Sequence, residues 1–360
     1  MAVLLVTGGA GYIGAHVAKA LSLAGHRPVV YDNLSRGHRN AVQWGPFAVG
    51  DINDSRRLDE IFRTYRPAAV LHFAALTEVS ESLRDPMAFW RNNVGGSLVL
   101  IDRALAWGVD RFVFSSTCAI YGIPGRIPIA ETEREAPINP YGETKLAVER
   151  MLRDATSTDG LNAVALRYFN AAGASQDGEI GEDHRPETHL VPLVLDAARD
   201  PTRRVGVFGT DYPTPDGSCV RDYVHVEDLA SAHVRAVELL LSGGLGGFTG
   251  LNLGSGQGLS VLEVVEAARR TTGAAIPVTL QPRRRGDPAA LVADAAAARR
   301  LLGWEATRSD ADTILRSAWC WLQRQGDAGA AATAHASSPR SKRSHPGRPG
   351  RPRRPSERGL

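Results

Sequence analysis

No stretch of this 360-residue chain approaches the roughly 20 consecutive apolar residues of a membrane span. A basic leader is missing too. The short apolar run at the amino terminus passes straight into glycine, so no secretory signal is expected. Cysteine is scarce: Cys118, Cys219 and Cys320 stand far apart and form no metal or redox motif, as in a reduced cytoplasmic protein. No internal repeat is evident. Positive charge is short everywhere but at one end. The formal net charge is +3, yet residues from Gly326 onward hold eight Lys or Arg against Asp327 and Glu357, a net of +6. The rest is therefore mildly acidic, at −3. The tail at 326–360 is rich in Ala, Ser, Pro and Arg and cannot bury enough apolar surface to offset its ordering entropy. It is predicted to be a disordered, inert extension, with contact to nucleic acid or an anionic surface as the lesser alternative.

What is present begins at the amino terminus. The apolar run Ala2-Val3-Leu4-Leu5-Val6 leads into Thr7 to Gly14, T-G-G-A-G-Y-I-G, and then into apolar residues at helical spacing (Ile13, Val17, Leu21). Gly8, Gly11 and Gly14 permit a tight turn and let backbone N–H groups approach a pyrophosphate at a helix N-terminus. The spacing is a variant of the dinucleotide fingerprint. A second strand, Pro28–Tyr31, ends in Asp32, where an acid accepts hydrogen bonds from the adenosine ribose and repels a 2′-phosphate. The expected cofactor is NAD; Arg36 and Arg39 close by leave NADP as the alternative.

Strand candidates at Ala2–Thr7, Pro28–Tyr31, Phe47–Val49, Ala69–His72, Phe112–Ser115 and Ala163–Arg167 alternate with helical segments, notably Pro86–Trp107 and Pro140–Leu152. Repeated β-α units with buried strands predict an α/β fold, a doubly wound parallel sheet of the Rossmann type covered by helices on both faces. Residues 1–170 form its nucleotide-binding domain. Residues 171–325 are expected to be mainly a smaller substrate domain, with about 220–255 returning to the first. A capping box at Ser260 and Glu263 precedes a helix over Val261–Thr271, and Asp294–Leu302 reads as another, ended by Gly303.

Tyr141 and Lys145 form Y-x-x-x-K behind Pro140, which suits a helix start. At i, i+4 both side chains leave one helical face. Tyrosine, with a pKa near 10, is a poor base at neutral pH; a neighbouring ammonium is expected to bring it down, and an oxidised nicotinamide adds to the effect. Strand Phe112–Ser115 ends in Ser116-Thr117, so the Thr117 hydroxyl stands at a strand's carboxyl end, within reach of a sugar hydroxyl and the tyrosine oxygen.

In this order and spacing, the glycine loop, Thr117 and Y-x-x-x-K resemble the extended short-chain dehydrogenase/reductases over residues 1 to about 325. Within them the chain is most similar to UDP-glucose 4-epimerases. The likeness lies in Tyr31-Asp32-Asn33-Leu34-Ser35, Gly50-Asp51-Ile52, His72-Phe73-Ala74-Ala75, Asn92-Asn93-Val94, Arg167-Tyr168-Phe169-Asn170, Phe208 to Gly217 and Arg221 to Val226. The resemblance implies an NAD-dependent isomerase with Tyr141, Lys145 and Thr117 as its catalytic set. NAD would be held by Gly8, Gly11, Tyr12, Ile13, Gly14, Asp32, Asn33, Ser35, Asp51, Ile52, Phe73, Ala74, Ala75, Asn92 and Phe169, with Tyr141 and Lys145. A UDP-hexose would be held by Asn170, His189, Leu190, Phe208, Arg221, Arg284, Asp287 and Leu291, with Thr117. Leu291 stands where some members have a tyrosine beside the sugar, and Thr77 where some have a lysine. A cytoplasmic homodimer is expected by analogy. His184 and His189, near Glu182 and Asp183, are not expected to bind a metal, because this chemistry needs none.

The alternatives are a related epimerase acting on UDP-N-acetylglucosamine or a UDP-pentose, a decarboxylase or a dehydratase. Dehydratases of this kind carry an Asp-Glu pair where this chain has Cys118 and Ala119. A different class, a non-catalytic NAD-binding regulator, is disfavoured by the intact Thr117, Tyr141 and Lys145.

Overall fold

Seven parallel strands form the central sheet in a computed structural model that describes residues 1–284 and 286–336, with side chains up to 325. They are β1 (Val3–Thr7), β2 (Arg27–Asp32), β3 (Phe47–Val49), β4 (Ala69–His72), β5 (Arg111–Thr117), β6 (Asn162–Tyr168) and, at the edge, Phe248–Leu253. From that edge strand the order runs β6, β5, β4, β1, β2, β3, with every neighbour parallel. Alternation along each strand divides the apolar side chains between two cores. Leu4, Val6, Leu71, Val113 and Val164 meet the helices Tyr12–Leu23 and Val226–Ser242 on one face. Leu5, Val29, Val70, Phe112 and Phe114 meet Ser55–Tyr65, Gly96–Ala106 and Pro140–Asp159 on the other.

Strand order reverses between β1 and β4, and on such sheets ligands bind outside the carboxyl ends at that point. Thr7 and His72, the terminal residues there, are register partners. Thr7 Oγ1 lies 2.7 Å from His72 Nδ1, and His72 Nε2 lies 2.8 Å from Ser97 Oγ. The floor of the crevice is thus a chain of buried polar groups that satisfy one another.

Several elements depart from their sequence expectation. The helix predicted over Pro86–Trp107 is interrupted: Trp90–Gly95 forms a π-helical turn between Pro86–Phe89 and Gly96–Ala106. That turn contains Asn93, whose amide group closes on both backbone groups of Leu76, accepting from its N–H (2.8 Å) and donating to its carbonyl (2.9 Å). Such turns within helices concentrate at functional sites. The helix predicted over Pro140–Leu152 runs on to Asp159. Asn139 caps its start by accepting from the Gly142 N–H at 2.9 Å, and Gly160 ends it at φ +71°. The Ser260–Glu263 capping box is present. The helix read from Asp294 starts at Ala296, because the Asp294 carboxylate accepts the Ala296 N–H.

Residues Met1–Leu322 make one compact unit. In it, of the 220–255 segment expected to return to the first domain, Val220–His225 pairs outside the main sheet. It is the centre of a smaller sheet, antiparallel to Gly258–Ser260 and parallel to Ala290–Leu291 and Asn170–Ala172. Val224, the helix Val226–Ser242 and Phe248–Leu253 rejoin the larger body, the last as its edge strand. The last helix spans Ala311–Ala336 and takes in the alanine-rich start of the predicted tail. The remainder of that predicted tail, 337–360, lies outside the described residues. Among the described residues no helix is long and apolar enough to cross a membrane.

A buried ionic network fastens the Pro140–Asp159 helix to the sheet. Arg167 of β6 donates to Glu149 at 3.0 and 2.6 Å, to Glu135 at 2.7 Å and to the Tyr121 hydroxyl at 2.9 Å. Ser116 of β5 donates to the same Glu149 carboxylate, whose side chain is wholly buried. Removing one partner of such a pair leaves an uncompensated buried charge. Glu149→Ala should therefore lower unfolding free energy by about 3–5 kcal/mol in denaturant titration. Arg153→Ala, on the partly exposed rim of the network, should cost about 1 kcal/mol or less.

Candidate active site

The glycine loop fits a dinucleotide. Gly8 has φ +72°, and a Cβ there would stand 2.5 Å from the Ala74 backbone nitrogen; on Gly14 it would stand 2.3 Å from the Gly8 oxygen. Backbone meets backbone between the loop and residues 73–74. Gly11 caps the Tyr12–Leu23 helix without a side-chain hydrogen bond, which leaves the first-turn N–H groups available to an anion. The side chains of Tyr12 and Ile13 are engaged elsewhere. The Tyr12 hydroxyl donates to the Gly173 carbonyl at 2.6 Å, and Ile13 packs on the core. What these two residues can offer a pyrophosphate is their main chain.

Asp32, buried at the end of β2, accepts from the N–H groups of Ala10 (3.0 Å) and Leu34 (2.8 Å). Burial raises its carboxyl pKa and these backbone donors oppose the rise. Each oxygen keeps a second lone pair for a ribose hydroxyl. Asn33 donates to Asp51 at 2.8 Å and accepts from the Ser35 N–H at 2.9 Å, so residues 32–35 and 51 form one polar rim. Ile52 instead packs into the core against Gly96. Arg36 is paired with Glu81 at 2.7 Å, and Arg39 stacks 4.6 Å from the Phe47 ring. Both of the cations that left NADP open thus have other partners. Across the crevice, Phe73 N–H binds the Thr7 carbonyl at 2.9 Å and its ring packs on His233; Ala74 and Ala75 follow it. Asn92 donates to Asn93 within the π turn.

The catalytic set is assembled where β5 ends. Thr117 opposes Tyr168 of β6 in register, and its oxygen accepts the Ala119 N–H at 3.1 Å, leaving its own proton to donate. Lys145 is buried; Nζ donates to the Ser115 carbonyl at 2.8 Å and lies 5.9 Å from the Tyr141 ring centre. Burial brings the Lys145 pKa down to about 7, against the upward pull of Glu149. Tyr141 keeps part of its surface exposed, yet desolvation pushes it up to about 12, against the downward pull of the Thr117 hydroxyl. The expected lowering of the tyrosine by Lys145 is thus not found in the protein alone. Desolvation of the phenolate dominates, and the lysine is itself only partly charged near neutrality. Cys118, beside Thr117, is buried and its thiol is pushed up to about 12, so it gives no proton readily.

Of the predicted sugar-nucleotide residues, Leu291 packs with Cys118, Ile120 and Leu146 beside the end of β5, as does Phe169 of the predicted cofactor set. Leu291 opposes Arg221 in the smaller sheet, Asn170 opposes Tyr223, and Arg221 is bonded to the Asp287 carboxylate. Arg284 lies over the Phe208 ring at 3.8 Å. His189 and Leu190 stand at the start of the Leu190–Arg199 helix. There the sequence paired His184 and His189 with Glu182 and Asp183. Asp183 turns instead to His38, at 3.3 Å, and Glu187 takes its place. Against the cost of burial, Glu182 and Glu187 raise the His189 pKa to about 10.

Sequence reasoning missed Glu149, Asn93 and the Thr7–His72–Ser97 chain. Glu149 was within reach, four residues beyond Lys145 on the same helical face. The others meet only in the folded chain.

Residues 4–247 match the model of the NAD dependent epimerase/dehydratase family. The UDP-glucose 4-epimerase of Rhizobium meliloti (strain 1021) is 52% identical over 326 residues, 91% of this chain and 98% of that one. The crystal structure of UDP-glucose 4-epimerase from Brucella ovis in complex with NAD superposes with a TM-score of 0.86 at 52% identity, covering 89% of this chain and 98% of its own. That from Bifidobacterium longum, in complex with NAD+ and UDP, gives 0.85 at 36%, covering 90% and 99%. The chain belongs to the NAD dependent epimerase/dehydratase family, among the UDP-glucose 4-epimerases.

Proposed function

We propose that this protein interconverts UDP-glucose and UDP-galactose by inversion at C4, with Tyr141 as the base. The observation that carries the reading is the meeting of Thr117, Tyr141 and Lys145 at the carboxyl end of β5, on a sheet whose switch point holds an uncapped glycine-loop helix. When bound, NAD supplies reversible oxidation at the sugar carbon. Tyr141 accepts the proton of the 4-hydroxyl and returns it after the 4-keto sugar has turned over. Thr117 orients both oxygens through its hydroxyl. Lys145, fixed on the Ser115 carbonyl, sets its amino group beside the ring. Arg221 and Arg284 suit the two phosphates of UDP, so binding energy falls on the nucleotide while the sugar is left free to turn. A dehydratase is disfavoured, because Cys118 and Ala119 offer no acid to a departing hydroxyl.

A cytoplasmic homodimer belongs to the same reading. Leu83, Met87, Leu98 and Trp107 are exposed along the helical stretch from Val79 to Trp107, an apolar surface that a second copy would cover.

The direct test is to incubate purified protein with UDP-galactose without added NAD and assay for UDP-glucose. Product is expected, since a cofactor regenerated in each cycle stays bound; no conversion even with NAD present would refute the assignment. Tyr141→Phe should fold and retain NAD but lose activity by ~10²–10⁴-fold, the typical worth of a general base. A variant keeping more than about a tenth of wild-type kcat, short of the tenfold that about 1.36 kcal/mol of barrier gives, would remove Tyr141 from that role.

Leu291 sets the breadth of the pocket in this reading. A tyrosine there would crowd a 2-acetamido group, and overpacking costs roughly 1–3 kcal/mol. The wild type should thus show secondary activity on UDP-N-acetylglucosamine. Leu291→Tyr should shift the ratio of the two activities toward UDP-galactose by about tenfold to a hundredfold. An unchanged ratio would show that Leu291 is not the gate.

A further inference from the structure

Two polar side chains carry the buried ionic network beyond Arg167. Arg167 Nη1 donates to the Tyr121 hydroxyl at 2.9 Å, and that hydroxyl lies 2.7 Å from Asn252 Oδ1. Arginine can only donate, so the phenol oxygen accepts from it and gives its own proton to the asparagine oxygen. The amide is thereby oriented. Its nitrogen faces the other way and donates to the Ile129 carbonyl at 2.8 Å. Asn252 belongs to the edge strand Phe248–Leu253, opposite Arg167 in register, and is wholly buried. A side chain with no exposed surface acts on the site through its neighbours.

At Ile129 this chain of bonds leaves the sheet. Ile129 lies in the middle of residues 122–138, which lead from Tyr121 to Asn139, the cap of the Pro140–Asp159 helix, and form no helix or extended strand. One bridge, from Ile129 to Ala293, ties this stretch to the smaller sheet's side. The Ile129 N–H donates to the Val292 carbonyl at 2.8 Å, and the Ile129 carbonyl accepts the Asp294 N–H at 2.8 Å. That carbonyl thus takes two donors, Asp294 and Asn252, which uses both its lone pairs. Residues 292–294 follow Leu291 directly, and the Ala293 N–H donates at 3.0 Å to Asp222, the neighbour of Arg221. Leu291 packs in one apolar cluster with Tyr121, Ile129 and Ala293. A satisfied polar group buried among such neighbours fixes a geometry that apolar packing alone would let slide.

We infer that Asn252 is a positioning residue for the sugar-facing wall: through Ile129 it holds residues 291–294 in place against the catalytic floor. The breadth of sugar selection then depends on a side chain that does not touch the sugar. This rests on Leu291 being the gate of the sugar pocket, as proposed.

The test compares wild type, Asn252→Ala, Tyr121→Phe and Leu291→Tyr by kcat/KM on UDP-galactose and on UDP-N-acetylglucosamine. Asn252→Ala cuts the bond to Ile129. Tyr121→Phe keeps a ring in the cluster but frees the amide to turn, and it carries the test where the alanine variant does not fold. A loosened wall relieves the crowding of the 2-acetamido group. The acetamido-to-galactose ratio should therefore rise about tenfold in Asn252→Ala, the lower part of an overpacking penalty, and by less in Tyr121→Phe. Leu291→Tyr should move it the other way. The pH midpoint of kcat/KM on UDP-galactose should keep its wild-type value in Asn252→Ala, because Lys145 and Glu149 keep their partners. A residue that only stabilised the fold would lower both activities together and leave the ratio alone. An unmoved ratio in the folded Asn252 or Tyr121 variant, beside a shift in Leu291→Tyr, would overturn the role of Asn252 and leave Leu291 as the gate. Ratios unmoved in all three would overturn both. A changed pH midpoint would place the influence of Asn252 on the catalytic helix and overturn the inference as well.

Discussion

The site depends on one buried attachment: the helix Pro140–Asp159 is fastened by charged groups to the carboxyl ends of β5 and β6. Lys145 reaches the Ser115 carbonyl, and one turn further Glu149 takes Ser116 and Arg167. These bonds fix the rotation of the helix about its axis, and with it the direction of Tyr141. Burying a lysine, a glutamate and an arginine costs solvation that only such mutual bonding offsets. The arrangement holds because each polar atom has a partner. The neighbouring Thr7–His72–Ser97 chain completes the same buried floor at the switch point.

Burial also sets the chemistry. Desolvation drives the tyrosine up and the lysine down, so at neutral pH the protein alone holds a protonated phenol beside a partly neutral amine. Positive charge arriving next to the phenol favours its ionised form and so strengthens the base. The nicotinamide of NAD carries that charge in its oxidised form, the form in which proton removal is needed.

Much of this was legible in the sequence, because the strands are short apolar runs and the glycines carry backbone constraints that no other residue meets. The glycine loop, Asp32 at the end of β2 and Thr117 at the end of β5 stand where local pattern placed them. What pattern could not give is what depends on distant partners. The π turn at Trp90–Gly95 coincides with the reach of Asn93 to Leu76, seventeen residues away in the chain. The Val220–His225 strand looks like any buried strand, and only its partners assign it to the smaller sheet. The upward pull of burial on Tyr141 in the protein alone was not legible, because residue spacing reports the nearby ammonium but not the depth of burial.

The central claim, that Tyr141 is held protonated by burial until the cofactor's charge offsets it, is tested most directly by ultraviolet difference titration. Wild type and Tyr141→Phe are compared, each stripped of cofactor and loaded with NAD, across the pH range in which the fold is stable. The account predicts no Tyr141 phenolate in the stripped protein below about pH 10, the ordinary value for tyrosine. A phenolate lost in the Phe variant should appear at lower pH once NAD is bound. The same titration with and without NAD would contradict it.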